Sequence, residues 1–337
     1  MKNNKQADLT ALRQFAGQES AALEKAMRED LSEALEGKDP LLVKVIEYAL
    51  FGGGKRIRPL LATLSARVSA GKNSAVYRLA AAFEYLHVAT LIHDDVIDNA
   101  RERRGRPSVV KQYGLASAIL AGDWLHARSM YLVGRFGGQD ELEVFCRSTT
   151  GMVDGEFLQL RYVADCDVTE QQYFDVIHHK TALLIESTCE IGAMFGEADK
   201  TERSALATYG HKLGIAFQVV DDLLDYLGDT ASTGKKTGND FVEGKVTLPL
   251  IHAMESGGSQ VREALKCLFE DDREDPLALR KVFDIIEENN GFTSARHAAE
   301  TIVSEAVAAL DVFSECDDQE SLSMLYSLAA FVIERNR

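Results

Sequence analysis

Along almost the whole chain, apolar residues recur three or four positions apart, and no useful stretch alternates with period two. The pattern predicts an amphipathic helix over Leu9–Leu35, closed by Gly37-Lys38-Asp39-Pro40, and a second over Pro40–Leu50. Gly52-Gly53-Gly54 then breaks the chain. Pro59 suits the first turn of the next helix, whose body is Leu60–Ala70. Ser74 is placed to cap a long helix reaching Asp98. Arg101–Pro107 reads as an arginine-rich loop. Further helices are predicted at 114–135, 140–161, 169–193, 201–227 and 246–255, with two or three more before Arg337. Gly228–Gly244, polar and rich in glycine, reads as a loop beside a site.

No low-complexity linker, solenoid-period repeat or shift in composition marks a boundary. Residues 1–337 are therefore expected to form a single domain of all-α class, a bundle of ten or more helices. Only 5 prolines interrupt the 337 residues, in keeping with long helices. The net charge of −16 repels nucleic acid and suits a chain that collects divalent cations. The 5 cysteines, Cys146, Cys166, Cys189, Cys267 and Cys316, are scattered and form no CxxC pair. That argues against a disulfide framework or a zinc ribbon and fits a reducing cytoplasm. The opening MKNNKQADLTALRQFAG lacks a signal-like apolar stretch, and no run approaches the length of a membrane span, so an integral membrane protein is not expected.

Two clusters carry candidate chemistry. The long helix ends in His93-Asp94-Asp95-Val96-Ile97-Asp98, which puts Asp94 and Asp98 on one face, one turn apart. Like charges at that spacing destabilise a helix, and the C-terminal end of the macrodipole disfavours them further. A hard divalent cation with oxygen ligands would offset both effects. Gln218-Val219-Val220-Asp221-Asp222-Leu223-Leu224-Asp225 repeats the arrangement. Two such helices facing each other would gather six carboxylates around a cavity able to hold metal ions on a phosphate-bearing ligand. The spacing alone is a weak signal. Asp271-Asp272-Arg273-Glu274-Asp275 also fits it, and reads as a solvated helix end before Pro276.

Basic motifs stand beside the acidic ones. Gly52-Gly53-Gly54-Lys55-Arg56-Ile57-Arg58-Pro59 joins a permissive backbone to three cations and a helix N-terminus, a combination that suits anions, although the Walker spacing GxxxxGK(S/T) is absent. Arg101-Glu102-Arg103-Arg104-Gly105-Arg106 follows the first aspartates closely, and arginine forks bind phosphate oxygens in pairs. The competing reading is a helix-breaking surface turn for the first stretch and a salt-bridged surface loop for the second. His87 lies two turns from Asp94 on a similar face, where a phosphate contact competes with a purely structural role.

Taken together, the chain resembles the trans-type polyprenyl diphosphate synthases, in particular long-chain members of the octaprenyl and hexaprenyl kind. The resemblance runs from about Leu41 to the C-terminal helices. It rests, in family order, on GGGKRIRP, DDVID with RRGRPS, LAGDWL, KTALLIES, FQVVDDLLDYLGD and GKKTGNDFVEGKVTLPL. It implies an isoprenoid synthase fold, an all-α bundle around a central cavity, usually as a homodimer. It implies that Asp94, Asp95, Asp98, Asp221, Asp222 and Asp225 hold about two or three Mg²⁺ ions on the allylic diphosphate. Lys55, Arg58, His87 and Arg104 match positions that bind isopentenyl diphosphate. Arg103, Lys180, Thr181, Gln218, Lys235 and Lys245 match positions that hold the allylic diphosphate, with Lys180 also assigned to catalysis. The two-residue gap between Asp95 and Asp98 differs from the longer gap of bacterial farnesyl diphosphate synthases and argues against that subtype.

The same resemblance implies that the growing tail runs down the helix bearing Asp94, past Thr90, Ala89, Leu86 and Phe83. Ala89 and Thr90 are small and should let it pass. Phe83 would form a floor about 16 Å below the cluster, which suggests a product of about thirty to forty carbons, with about twenty to twenty-five as the alternative. Two other classes compete. A diphosphate-ionising terpene cyclase needs neither the second aspartate cluster nor GGGKRIRP. A non-catalytic partner subunit of a heteromeric synthase should have lost its aspartates.

Overall fold

The protein is described by a computed structural model over residues 2–228, 237–270 and 273–334, with side chains from residue 14 onward. Among these residues, α-helices span Lys2–Ala34, Pro40–Leu50, Ile57–Val68, Val76–Ile97, Val109–Tyr113, Leu115–Phe136, Gln139–Arg161, Glu170–Ile177, Leu183–Phe195, Lys200–Leu227, Asn239–Val242, Leu248–Glu270, Pro276–Glu288, Gly291–Ala309 and Gln319–Glu334. The all-α class is as expected. The expected loop at Arg101–Pro107 is instead a hairpin, in which Glu102–Arg103 pairs antiparallel with Arg106–Pro107. Lys235 and the Asp271-Asp272 pair lie outside the described residues.

The chain divides into two compact units. The first comprises Met1–Cys146, Ser187–Leu206 and Val312–Ser327; the second comprises Arg147–Glu186, Ala207–Asp311 and Leu328–Arg337. In the first unit the organising element is the Val76–Ile97 helix. Every residue from Leu79 to Leu86 is buried, so this helix is enclosed on all sides, as an all-round apolar helix must be. It packs against the helices Lys2–Ala34, Pro40–Leu50, Ile57–Val68 and Leu115–Phe136. Gly122 permits the last of these contacts, because a Cβ there would lie 2.3 Å from His93 Nε2. Asp39 caps the Pro40–Leu50 helix by accepting from the Leu41 N–H at 2.8 Å, with Pro40 at the first position. Ser74 does not cap the long helix. Asn73 Oδ1 accepts from the Ala75 N–H at 2.9 Å, because an Asx turn competes for the same donors.

The second unit corrects two boundaries. The helix expected at 169–193 is two helices joined by a π-helical turn, His178–Ala182, where one extra residue enters the ladder. The helix expected at 246–255 runs over Leu248–Glu270, with a break at Gly258, whose φ of 68° no helical residue adopts. Thr169 and Gln172 form a reciprocal capping box at the start of Glu170–Ile177. Close approach holds the π-turn in place. A Cβ on Gly155 would meet the Lys180 amide nitrogen at 2.6 Å, and one on Gly214 would meet Ala182 Cα at 2.6 Å.

Candidate active site

In the first unit, the aspartate cluster closes the Val76–Ile97 helix. The Asp98 N–H caps it by donating to the Asp94 carbonyl at 2.8 Å. Asp95 turns inward, 2% exposed, and accepts from Arg103 Nε at 2.8 Å and Arg103 Nη2 at 2.5 Å. Asp94 is half-buried and Asp98 exposed, so these two carboxylates reach solvent.

Arg103 belongs to the hairpin, whose turn places Arg104 at φ 54° and Gly105 at φ 72°. That is the primed turn a two-residue hairpin favours, with a non-glycine residue in the left-handed region. The turn aims Arg104 Nη1 at the Gly53 carbonyl, and Arg106 Nη2 at the Tyr48 carbonyl at 2.5 Å. The glycine motif and the arginine motif, separate in sequence, are thus one assembly.

Behind that assembly lies a buried ion pair. Arg56, held at φ 51°, donates to Glu84 and, through Nη2, to the Leu50 carbonyl at 2.5 Å. Burial lowers the pKa of Arg58, against the opposing pull of Glu84. Its Nε is closed off from solvent and has no hydrogen-bond partner among the described residues. Burial, followed by the charges of Arg58, Arg104, Arg56 and Arg103, holds His87 well below the usual imidazole range. A neutral donor among four arginines is suited to a polyanion with several oxygens to satisfy. Lys55 is exposed on the same loop.

Of the four residues expected along the tail, Ala89, Leu86 and Phe83 are buried and Thr90 is half-buried. Thr90 Oγ1 donates back to the His87 carbonyl at 2.9 Å, and the Phe83 ring meets Phe145 edge-on, with centroids 5.8 Å apart.

The second unit holds a partly open cleft lined by both polar and apolar side chains. Lys180, Thr181, Gln218, Asp222 and Lys245, which the sequence singled out, all line it, with Tyr173 and Asp240 among its polar walls and Val163, Val176 and Val246 among its apolar ones. Asp222, 5% exposed, accepts from Tyr173 Oη at 2.6 Å and from Gln218 Nε2 at 2.8 Å. Burial and then Asp240 push its pKa well above the usual carboxylate range. Asp225 is raised to about 6 by the same two causes. Burial also raises Asp240, against the opposing pull of Lys245. Burial disfavours the Lys245 ammonium, but Asp240 and Glu243 outweigh it and raise its pKa. Thr181 Oγ1 donates to Gln218 Oε1 at 2.9 Å, and Lys180 Nζ reaches Glu156 at 2.9 Å. Such a concentration of hard oxygen donors, costly to charge together in a partly closed cleft, fits a divalent cation.

Sequence reading missed three contributors, Glu84, Tyr173 and Asp240, and took Arg56 as one of three anion-binding cations where the structure pairs it with Glu84. Glu84 left a trace, a lone acid inside the apolar run Leu79–Val88. Tyr173 left none, because its partner Asp222 is 49 residues away in sequence.

Comparison with known proteins bears on both units. The Polyprenyl synthetase family model matches residues 39–286. The chain is 34% identical over 330 residues to the octaprenyl diphosphate synthase of Escherichia coli (strain K12), covering 98% of this chain and 100% of the relative. Among solved structures, the decaprenyl diphosphate synthase from Rhodobacter capsulatus superposes with a TM-score of 0.87 at 36% identity, covering 97% of this chain and 98% of that one. The polyprenyl synthase from Caulobacter crescentus CB15, complexed with calcium and isoprenyl diphosphate, gives a TM-score of 0.87 at 32% identity, with the same coverage of 97% and 98%.

Proposed function

Because the chain belongs to the polyprenyl synthetase family, we propose that it is an Mg²⁺-dependent trans-prenyltransferase joining isopentenyl diphosphate to an allylic diphosphate, with an all-trans product of about thirty to forty carbons. The observation that carries this reading is the pairing of a basic cluster built on Arg58, His87 and Arg104 with two aspartate clusters. A cyclase or a non-catalytic partner has no use for all three. The calcium in the Caulobacter crescentus relative supports a divalent cation for this family.

Lys55, Arg58, His87 and Arg104 are assigned to the diphosphate of isopentenyl diphosphate. Arg103, Lys180, Thr181, Gln218, Lys235 and Lys245 are assigned to the allylic diphosphate. Asp94, Asp95, Asp98, Asp221, Asp222 and Asp225 would hold about two or three Mg²⁺ ions, which when bound neutralise the leaving group as a Lewis acid. Lys180 stabilises the charge that develops as the allylic C–O bond breaks and its electron pair leaves with diphosphate. Tyr173 and Gln218 orient Asp222 through its two oxygens. The double bond of isopentenyl diphosphate attacks the allylic cation, and the proton then lost passes to the departing diphosphate, so no side-chain base is required. Apolar walls such as Val176 and Val246 keep water from the reacting centre.

The Leu115–Phe136 helix exposes Leu115, Ile119, Leu120, Met130 and Tyr131, an apolar face that supports assembly with a second copy. No helix among the described residues is long and apolar enough to cross a membrane, and all five cysteines are free, features that support the cytoplasm as the working compartment.

The test is to incubate the protein with Mg²⁺, labelled isopentenyl diphosphate and farnesyl diphosphate, and to separate the dephosphorylated products by length. A ladder ending at one dominant length is expected, and an end point near twenty carbons would favour the shorter alternative. Farnesyl diphosphate consumed without incorporation of label would indicate a cyclase or a phosphatase. No turnover, with Asp94→Ala matching wild type in Mg²⁺-dependent ligand binding, would leave a partner subunit.

A further inference from the structure

Beside the cleft of the second unit lies a group of side chains that the proposed reaction does not use. His178, Glu186 and His211 each offer one ligand atom, and the three atoms lie within 4.8 Å of one another. His211 Nδ1 and Glu186 Oε2 are 3.1 Å apart, and the His178 and His211 rings have centroids 4.9 Å apart. His178 Nδ1 is closed off from solvent and has no hydrogen-bond partner among the described residues. An ordinary His–Glu pair accounts for His211 and Glu186. It does not account for a second imidazole pressed against them with a nitrogen left unsatisfied, an arrangement that costs free energy.

We propose that His178, Glu186 and His211 form a site for a first-row transition dication of the Zn²⁺ class, distinct from the aspartate clusters. Two imidazoles and one carboxylate are the donor set that Zn²⁺ and its neighbours take, with a fourth position left to solvent. Bonds of about 2.0–2.1 Å in a tetrahedron separate ligand atoms by about 3.4 Å. The His211–Glu186 edge, at 3.1 Å, is already near that value, and the other two would have to shorten to it from no more than 4.8 Å. Mg²⁺, which prefers oxygen, would not compete here.

The placement gives such an ion a consequence. His178 opens the π-turn that carries Lys180 and Thr181. His211 lies two turns before Gln218 on the same helix face. The ion would fasten together the two elements joined by the Thr181–Gln218 hydrogen bond of 2.9 Å.

The full-length protein, stripped with chelator and then saturated with Mg²⁺, should be titrated with Co²⁺. One equivalent per chain is expected, with the visible absorption of low-coordinate, imidazole-bound cobalt. His178→Gln and His211→Gln should each abolish that signal, and Asp94→Ala should keep it. X-ray absorption of the Zn²⁺-loaded wild-type protein should show two imidazoles in the first shell, a reading that needs no variant to fold. An all-oxygen shell, a signal that survives both histidine substitutions, or no uptake above the Mg²⁺ background would each overturn the site.

Discussion

Asp94-Asp95-Val96-Ile97-Asp98 and Asp221-Asp222-Leu223-Leu224-Asp225 have the same spacing, and both lie at or near the C-terminal end of a helix. Their middle carboxylates are nevertheless answered in opposite ways. Asp95 is met by a full positive charge, the Arg103 guanidinium at 2.5 Å. Asp222 is met by two neutral donors, Tyr173 and Gln218, with Asp240 adding negative charge nearby. The first cluster adjoins a group of arginines. The second adjoins a further carboxylate, Asp240, and the Lys245 ammonium. One motif can therefore serve two tasks. Beside the arginines it suits a metal–diphosphate complex that brings both signs of charge, and in the acidic cleft it suits the cation itself.

The largest expected effect comes from removing a carboxylate outright. Asp94→Ala and Asp222→Ala should each lower kcat by about 10³-fold or more, in keeping with lost charge stabilisation in the transition state. Single-turnover incorporation of labelled isopentenyl diphosphate at saturating Mg²⁺ measures it. If the two clusters differ as argued, raising Mg²⁺ should partly rescue Asp222→Ala and leave Asp94→Ala unchanged. Equal rescue would erase the distinction.

Glu84→Gln tests the basic side. It leaves Arg56 buried without its counter-charge, and breaking a buried pair in this way costs roughly 3 kcal/mol or more. Denaturant unfolding should show that loss together with a raised KM for isopentenyl diphosphate, because Arg58 and Arg104 also feel Glu84. A change within about 0.5 kcal/mol, the range of ordinary surface substitutions, would mean that the cluster does not depend on Glu84.

How far the sequence carries this comparison depends on the range of the interactions. Helical periodicity is local and was legible, whereas the caps at Asp39 and Thr169 emerge only from the structure. The aspartate pairs were legible because they are contiguous. The joining of the glycine and arginine motifs was not, since Arg104 and Gly53 meet across 51 positions. The π-turn was invisible for another reason. It arises where Gly155 and Gly214 let two neighbouring segments crowd the chain, and tertiary packing of that kind leaves no period to read. Ser74 shows the reverse error, a sound local signal outcompeted by Asn73 next to it.

A smaller effect isolates the second cluster. Tyr173→Phe removes one hydroxyl and leaves the ring packed. Asp222 then loses the 2.6 Å hydrogen bond that fixes Oδ2. Groups that orient a metal ligand typically contribute about 10- to 100-fold in metal affinity or activity. The apparent affinity for Mg²⁺ should fall by about tenfold, while the KM for isopentenyl diphosphate, set in the basic cluster, stays within about twofold. A change confined to isopentenyl diphosphate would contradict the division of labour.

The finest test concerns product length. Phe83 lies about three turns before Asp94 on the aspartate helix, fully buried, with its ring against Phe145. Phe83→Ala should open space where the tail ends. One helical turn, about 5.4 Å, is close to the reach of one added isoprene unit, so the dominant product should lengthen by about one or two units. The enlarged core should cost about 3 kcal/mol, which thermal unfolding can follow separately. Phe145 could fill the space by turning its ring, and the double variant Phe83→Ala/Phe145→Ala removes that escape. Chromatography of the dephosphorylated products decides. An unchanged length in both variants places the floor elsewhere on the helix, at Leu86 or nearer the aspartates, and makes the shorter product the better expectation.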